Sequence, residues 1–221
     1  MHPAVSVVMI TMNEEGSVAK VIGDIRSACP EAEILLVDSS KDATPQIAES
    51  MGARVIRQFP PKGYGPAMDL ALRSANGEVV VTLDCDDTYP AEEIPRFVDA
   101  VLKEGYDLVD GSRLRHKSPA MPWMNYLANH AFALVASILF LRRVTDLHSG
   151  MRAYRKSLID SLQYNKQGAA LPVELLLRPL KQKYRVKLLF IDYRLRIGES
   201  TLNPLHSAWW TFKRIMSVWA T

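Results

Sequence analysis

Asp84, Cys85, Asp86 and Asp87 follow directly on the apolar run Val79-Val80-Val81-Thr82-Leu83, so a group of carboxylates stands where a buried strand runs out into solvent. Three carboxylates within four residues repel one another unless a cation or strong hydrogen-bond donors neutralise them. A hard divalent ion, Mg2+ or Mn2+, would be bound by one or two carboxylates together with substrate phosphates. That chemistry makes Asp84 and Asp86 the candidate metal ligands. A second reading stays open at this point: an acidic turn that caps a helix beginning near Pro90, with Asp87 or Thr88 as its N-cap.

The elements that would position this cluster are legible as alternating runs. Strands are expected over residues 5–10, 34–37, 54–57, 79–83 and 107–109. Between them fall helical patterns over 14–28, from Thr44-Pro45 onward, over 65–75 and over 91–103. This is the rhythm of βαβ units and a mainly parallel sheet, hence an α/β fold. In open α/β sheets ligands bind outside the carboxyl ends of the strands. Asn13-Glu14, Asp38-Ser39-Ser40 and Asp84-Cys85-Asp86 each follow a strand and fall on one rim. After Gly111 the rhythm changes to a long helix, an irregular stretch over 146–154, a helix over 172–183 and a strand pair at 186–190 and 192–195. The break divides two lobes of a single domain.

The composition of the 221 residues is that of an ordinary globular chain, 48% hydrophobic and 23% charged, with a net charge of +3. So small an excess leaves no global nucleic-acid footprint. The basic residues do concentrate after residue 111, which suits an anionic partner. Cys29 and Cys85 have no metal-ligand spacing and make no disulfide framework, so a reducing compartment is expected. The apolar run 5–10 lacks a charged leader and is too short for a signal peptide, and a cytosolic chain follows. The longest apolar stretch, 121–141, is interrupted by Pro122, Asn125, Asn129 and His130. Its unbroken part, 131–141, is about half of the roughly 20 residues a spanning helix needs. A buried or interfacial helix is expected there.

Three signals lie in order on the rim: Thr11-Met12-Asn13-Glu14-Glu15, Asp38-Ser39-Ser40-Lys41-Asp42-Ala43-Thr44 and Asp84-Cys85-Asp86. Together they resemble the family-2 glycosyltransferases of GT-A fold, a Rossmann-like nucleotide-diphospho-sugar transferase fold. The resemblance is strongest to the polyprenyl-phosphate group that includes the dolichyl-phosphate mannose synthases. Lys62-Gly63-Tyr64-Gly65-Pro66-Ala67 resembles the family's glycine-containing segment, where backbone N–H groups and the helix dipole approach an anion. Asp110-Gly111-Ser112-Arg113 resembles the segment after the fifth strand. Asp146 to Tyr154 is similar to the family's Asp-x-x-Ser-Gly-x-Arg-Ala segment, and Arg196-Ile197-Gly198-Glu199-Ser200 is similar, one spacer short, to Arg-x-x-Gly-x-Ser. The chain departs from mannose synthases in one acid rather than two at Asp38, in Thr88 for glutamine, in Thr201 for lysine, and in Met121-Pro122-Trp123-Met124-Asn125 for an arginine-bearing helix start.

The resemblance implies an inverting, metal-dependent hexosyltransferase that moves sugar from a GDP-mannose or UDP-glucose type donor to a polyprenyl or dolichyl phosphate. The alternative is a soluble phosphorylated or glycan acceptor. The donor would lie in a lobe of residues 1–111, on Thr11, Asn13, Glu14, Asp38, Lys62, Gly63, Gly65 and Asp84. The acceptor would lie in a lobe of residues 112–202, on Asn125, Asn129, Ser149 and Ser200. Asp86, Arg113, Arg152 and Arg196 are the expected catalytic residues, the arginines as bidentate phosphate partners. Glu174 lines a sugar pocket or sits on a helix dipole. Residues 203–221 form an amphipathic helix whose Trp209, Trp210, Phe212 and Trp219 alternate with Lys213 and Arg214, the composition of a membrane-interface helix. Peripheral attachment at the cytoplasmic membrane face and no nucleic-acid partner are therefore expected.

Overall fold

The computed structural model describes residues 4–198 and 204–221. Seven strands form one sheet in the order β3-β2-β1-β4-β6-β5-β7. They are β1 (Val5–Thr11), β2 (Glu33–Asp38), β3 (Arg54–Arg57), β4 (Val79–Thr82), β5 (Leu108–Ser112), β6 (Arg152–Arg155) and β7 (Val186–Phe190). β1 pairs in parallel with β2 and β4, β2 with β3, and β5 with β7. β6 alone runs against its neighbours, antiparallel to both β4 and β5. The mainly parallel α/β architecture expected from the sequence is the one observed.

The side chains of each strand divide by parity between the two faces, as a pleated strand requires. Val7 and Met9, Ile34 and Leu36, and Val79 and Val81 pack on one face with helices α1 (Val18–Ala28) and α4 (Ile94–Leu102). Val8, Leu35, Val37 and Val80 pack on the other, with α3 (Tyr64–Ser74) and the later helices α7 (Leu171–Lys181) and α8 (Pro204–Ala220). Burial on both faces explains why these strands read as continuous apolar runs.

Two elements differ from the sequence reading. The stretch 146–154 is not wholly irregular, because residues 152–155 insert as β6 between β4 and β5. The alternation there is hidden by Arg152 and Arg155, charged residues in a central strand, and the Arg152 charge is neutralised across the ladder. The expected strand at 192–195 is absent as a ladder strand. That segment runs instead beside the loop after β4, where Arg194 N donates to Thr88 O at 3.0 Å and Ile197 N to Asp86 O at 3.0 Å. α2 (Thr44–Ser50) and the short α6 (Lys156–Ser161) complete the outer layers.

Helix α5 (Trp123–Phe140) is long and apolar enough to cross a membrane by length and composition, and only 11% of it is buried. Ala133 and Ala136 are its buried residues. Trp123, Met124, Leu127, Leu134 and Ile138 are exposed. Of the buried or interfacial helix expected there, the buried alternative does not hold, since the helix presents its apolar side chains outward. α8 is two-faced: Thr211, Arg214, Ile215 and Val218 are buried, whereas Trp209, Trp210, Phe212 and Trp219 are exposed.

Candidate active site

The loops after β1, β2 and β4 meet at one rim, and side-chain to backbone hydrogen bonds sew them together. Asn13, in a left-handed conformation at φ 61°, accepts from Lys41 N through Oδ1 at 2.9 Å and donates its own N–H to the Ser40 hydroxyl at 2.7 Å. Glu14 N donates to Thr44 Oγ1 at 2.8 Å. Asp38 is fully buried and accepts from the Thr11 hydroxyl at 2.7 Å, from Ser40 N at 3.1 Å, from the Ser40 hydroxyl at 2.6 Å and from Arg57. With those four donors its carboxylate has no lone pair directed outward. Asp38, expected among the residues that bind the donor, therefore organises Thr11, Ser40 and Arg57 in this structure.

The Asp84 to Asp86 turn lies at the centre of the rim. Thr88 donates its N–H at 3.1 Å and its hydroxyl at 2.6 Å to Asp86 Oδ1, and Arg196 lies 2.5 Å from Asp86 Oδ2. A β-carbon on Gly150 would come within 2.6 Å of Asp84 Oδ2, so the glycine is required for the loop before β6 to close against that carboxylate. Burial, with the Asp86 charge adding to it, pushes the Asp84 carboxyl up to about 7. Glu14 is raised as well, first by burial and then by Asp86. Mutual repulsion of this kind is what a divalent cation relieves. Among the described residues no group of three His, Cys, Asp or Glu forms a closed metal cage. An ion on Asp84 and Asp86 would thus keep positions for phosphate and water, as Mg2+ and Mn2+ sites commonly do. The donor set fits a metal.

Asp87 takes no cap role. It is in a left-handed conformation at φ 63°, and its carboxylate pairs with Lys20 at 2.7 Å on the surface. The helix-cap reading of the cluster also fails for the other residues, because the 3-10 turn Ala91–Glu93 that leads into α4 has no side-chain cap.

The three arginines expected on the acceptor phosphate have different surroundings. Arg152 is 1% exposed; its Nε donates to Asp110 Oδ1 at 2.6 Å, and its other nitrogens reach the carbonyls of Pro172, Asp146 and Leu147. It is a cross-strand partner of both Thr82 and Asp110, a buried tie between β4, β5 and β6. A direct phosphate contact is corrected to this positioning role. Arg113 makes a bidentate pair with Asp146, 2.7 and 2.9 Å, and its guanidinium lies 5.1 Å from the Tyr193 ring centre. Burial alone would raise the Asp146 carboxyl, but Arg113 holds it down to about 2. Arg196 is on Asp86, so it belongs to the metal end of the rim.

The acceptor-side polar residues are also redistributed. Ser149 is buried and its hydroxyl turns onto the Met151 backbone, which removes it from the acceptor set. Asn125 is exposed at the start of α5, whereas Asn129 Oδ1 lies 3.1 Å from His148 Nδ1. His148 Nε2 lies 2.8 Å from Thr211 Oγ1, so one imidazole joins α5, α8 and the loop before β6. Burial lowers its pKa to about 4. Ser200 lies outside the described residues. Lys62 is exposed and Gly63 has φ 92°, at the N-terminal end of α3. Gly65 serves packing: a β-carbon there would lie 1.9 Å from Lys166 O. Glu174 is buried between Arg178 and Arg214, the latter at 3.0 Å, and does not line a sugar pocket.

Sequence reasoning left Asp110, Asp146, Gly150, Tyr64, Tyr89 and Tyr193 without roles. The Tyr89 hydroxyl accepts from Gly150 N at 2.7 Å and its ring meets Tyr193 edge-on at 5.7 Å, so the tyrosines brace the glycine that touches Asp84. Burial first, and the nearby Asp84 charge second, raise the Tyr64 hydroxyl far above its usual range. The acid that pairs with each motif arginine is distant in sequence, Asp146 for Arg113 and Asp110 for Arg152, so no local signal pointed to it.

Comparison with known proteins agrees with this geometry. The chain is 44% identical over 200 residues to a dolichyl-phosphate hexose transferase of Haloferax volcanii, covering 90% of this chain and 86% of that one. It is 30% identical over 213 residues to a dolichol-phosphate mannosyltransferase of Pyrococcus furiosus, covering 90% of this chain and 59% of that longer protein. Glucosyl-3-phosphoglycerate synthase of Mycobacterium tuberculosis, crystallised with Mn2+, UDP and glucosyl-3-phosphoglycerate, superposes with a TM-score of 0.77 at 23% identity, over 99% of this chain and 80% of that one. That likeness establishes the GT-A fold. Residues 6–163 match the family described as glycosyl transferase family 2, and with its carboxylate turn on the rim of a GT-A sheet the chain belongs to that family.

Proposed function

We propose that the protein transfers a hexose from a nucleotide sugar of the GDP-mannose or UDP-glucose type to a polyprenyl or dolichyl phosphate at the cytoplasmic face of a membrane. The observation that carries this reading is the 44% identity, over nine-tenths of the chain, to a dolichyl-phosphate hexose transferase. The exposed tryptophans of α8, with Lys213 lying 5.7 and 5.6 Å from the Trp209 and Trp210 ring centres, supply an amphipathic surface of the kind that rests in a headgroup region.

In this reading the donor diphosphate lies on the rim between the loops after β1 and β4, with Lys62 and Gly63 flanking it. Asp84 and Asp86 would hold Mg2+ or Mn2+, which neutralises the charge that builds on the departing diphosphate. A phosphate oxygen of the acceptor forms a bond to the anomeric carbon as the bond from that carbon to the diphosphate oxygen breaks. Attack opposite the leaving group inverts the anomeric centre. A phosphomonoester with a second pKa near 6 is largely ionised at neutral pH, so the step needs no strong general base. Arg113, its plane fixed by Asp146, acts on the Asp84 carboxylate through its charge.

The test is a panel of labelled nucleotide sugars, each offered with a polyprenyl phosphate and Mg2+ or Mn2+. Label in the organic phase, lost on chelation, is the expected result. Label that remains aqueous with every lipid and appears on a soluble phosphomonoester would replace the lipid acceptor by a soluble one.

A further inference from the structure

Two cavities lie side by side on the acceptor half. The first, of about 370 Å³, is lined by the segment from Arg113 to Pro119 and by Phe190, Ile191, Asp192 and Tyr193. Tyr193 carries it toward the carboxylate turn: its ring meets that of Tyr89 at 5.7 Å, and the Tyr89 hydroxyl accepts from Gly150 N, the glycine that closes against Asp84. The second, of about 520 Å³, lies between α5 and the end of β7. Its apolar wall includes Leu114, Ala133, Leu134, Val144 and Phe190, and Arg115, His130 and Arg143 line it as well. Arg115 and Phe190 line both cavities, so the two form one trough that starts polar beside the metal carboxylates and becomes apolar under α5.

The cations of the trough differ in their partners. Arg113 is committed to Asp146. Among the described residues Arg115 and Lys117 have no carboxylate partner: Arg115 lies 6.0 Å from the Phe190 ring centre, and Lys117 lies 5.2 Å from that of Trp123 and donates to Ser118 O at 3.3 Å. His116 lines the same cavity, and Asp192 is the one acid in either lining. A cationic end that opens into an apolar groove is complementary to an amphiphile with an anionic head. Leu134, exposed on α5, marks where the groove meets the outward apolar face of that helix.

We infer that the acceptor lies along this trough, its phosphate on Arg115, His116 and Lys117 and its first isoprene units between α5 and Phe190. The inference rests on the lipid-phosphate reading above and assigns that reading its residues. The phosphate cations come from the loop between β5 and α5, whereas the motif arginines Arg113 and Arg152 are held on internal carboxylates. Arginine and a flexible lysine beside a histidine suit a phosphomonoester whose charge varies between one and two.

The experiment compares the parent, Arg115→Gln/Lys117→Gln and Leu134→Trp, with a long-chain polyprenyl phosphate as acceptor in detergent micelles. The double variant should raise the acceptor KM at least tenfold, with the donor KM and nucleoside diphosphate affinity within twofold. Retained nucleotide affinity also reports an intact fold. Leu134→Trp, at an exposed helix position, should raise the KM of the long-chain acceptor severalfold while leaving inhibition by inorganic phosphate unchanged. Inorganic phosphate should inhibit the parent competitively against the lipid and inhibit the double variant less. An unchanged acceptor KM in both variants, with the parent active on the lipid, overturns the trough assignment alone. A parent that glycosylates only a soluble phosphomonoester such as glycerol 3-phosphate overturns the lipid reading on which it rests.

Discussion

Arg113 and Arg115 stand two residues apart and differ in almost everything but their side chain. Arg113 is 9% exposed and grips Asp146 with two hydrogen bonds, while Arg115 is exposed, without a carboxylate partner among the described residues, and stacks near Phe190. Arg113 belongs to an interior frame with Asp146, Arg152 and Asp110, and Arg115 to an open trough. A buried arginine with its donors satisfied contributes to the shape of a site, and an exposed arginine without a counter-ion is free to bind an anion. The comparison teaches that membership in a motif does not by itself make a cation a ligand.

The sharpest way to break the distinction is to remove the frame. Arg152→Ala leaves Asp110 buried with no counter-charge, a change that typically costs about 3–5 kcal/mol. Chemical denaturation should show a loss of that size, and Arg115→Gln should stay within about 0.5 kcal/mol of the parent. Equal stabilities would dissolve the contrast. Next in size, Asp86→Asn should lower kcat by more than about 100-fold, about 2.7 kcal/mol, beyond the 10- to 100-fold typical for a supporting partner of a metal site. Steady-state kinetics on a well-folded variant checks it, and near-normal turnover would remove Asp86 from the metal.

The frame also has a pH signature. His148 has a folded pKa lowered to about 4 by burial, so between that value and its usual 6.5 the unfolded chain binds more protons than the folded one. The His148 contribution therefore falls as pH drops through this window, by about 3 kcal/mol in all, against the opposite trend of the raised Asp84 carboxyl, and levels off below it. The Asp146 carboxyl, held at about 2, contributes stability that is present above its unfolded value of about 3.9 and is lost as pH falls toward 2. The two windows are separate. Denaturation midpoints measured from pH 7 to pH 2 on the parent and on His148→Gln should differ in slope across the upper window and run parallel across the lower one. The smallest effect belongs to the surface. Lys20→Gln breaks the pair with Asp87, yet exposed pairs contribute about 0–1 kcal/mol, so stability and kcat should both stay close to the parent. A tenfold loss of activity would return Asp87 to the site.

The same contrast explains what could be read without coordinates. The donor half was legible because β1, β2 and β4 are buried on both faces and leave uninterrupted apolar runs, and because each functional loop follows its strand directly. Arg54–Arg57 fell within the expected third strand. The acceptor half was harder, since its decisive facts are pairings between distant residues. Nothing local to Arg152 announces that Asp110, 42 positions away, will take its charge. A run such as Arg152-Ala153-Tyr154-Arg155 gives no apolar pattern, and only its place between β4 and β5 makes it a strand. α5 was expected to be buried or interfacial, and composition could not decide which faces its neighbours would cover. The carboxylate turn, by contrast, could be singled out from its residues alone, because mutual repulsion is a property of the sequence itself.

The reversal of β6 has a consequence for how such a protein can change. In a parallel sheet the segments that enter a strand emerge at the far end from the ligand, and only those that leave it reach the rim. Because β6 points the other way, the residues that precede it reach the rim instead, from Asp146 to Met151. Everything between Ser112 and Arg152 thus forms one contiguous cassette, entering from β5 and returning through β6. Its two ends are fastened by the Arg152 to Asp110 tie and by the ladder on either side. A lineage or an engineer can rewrite that cassette to admit another acceptor while the strands that carry the donor loops keep their register.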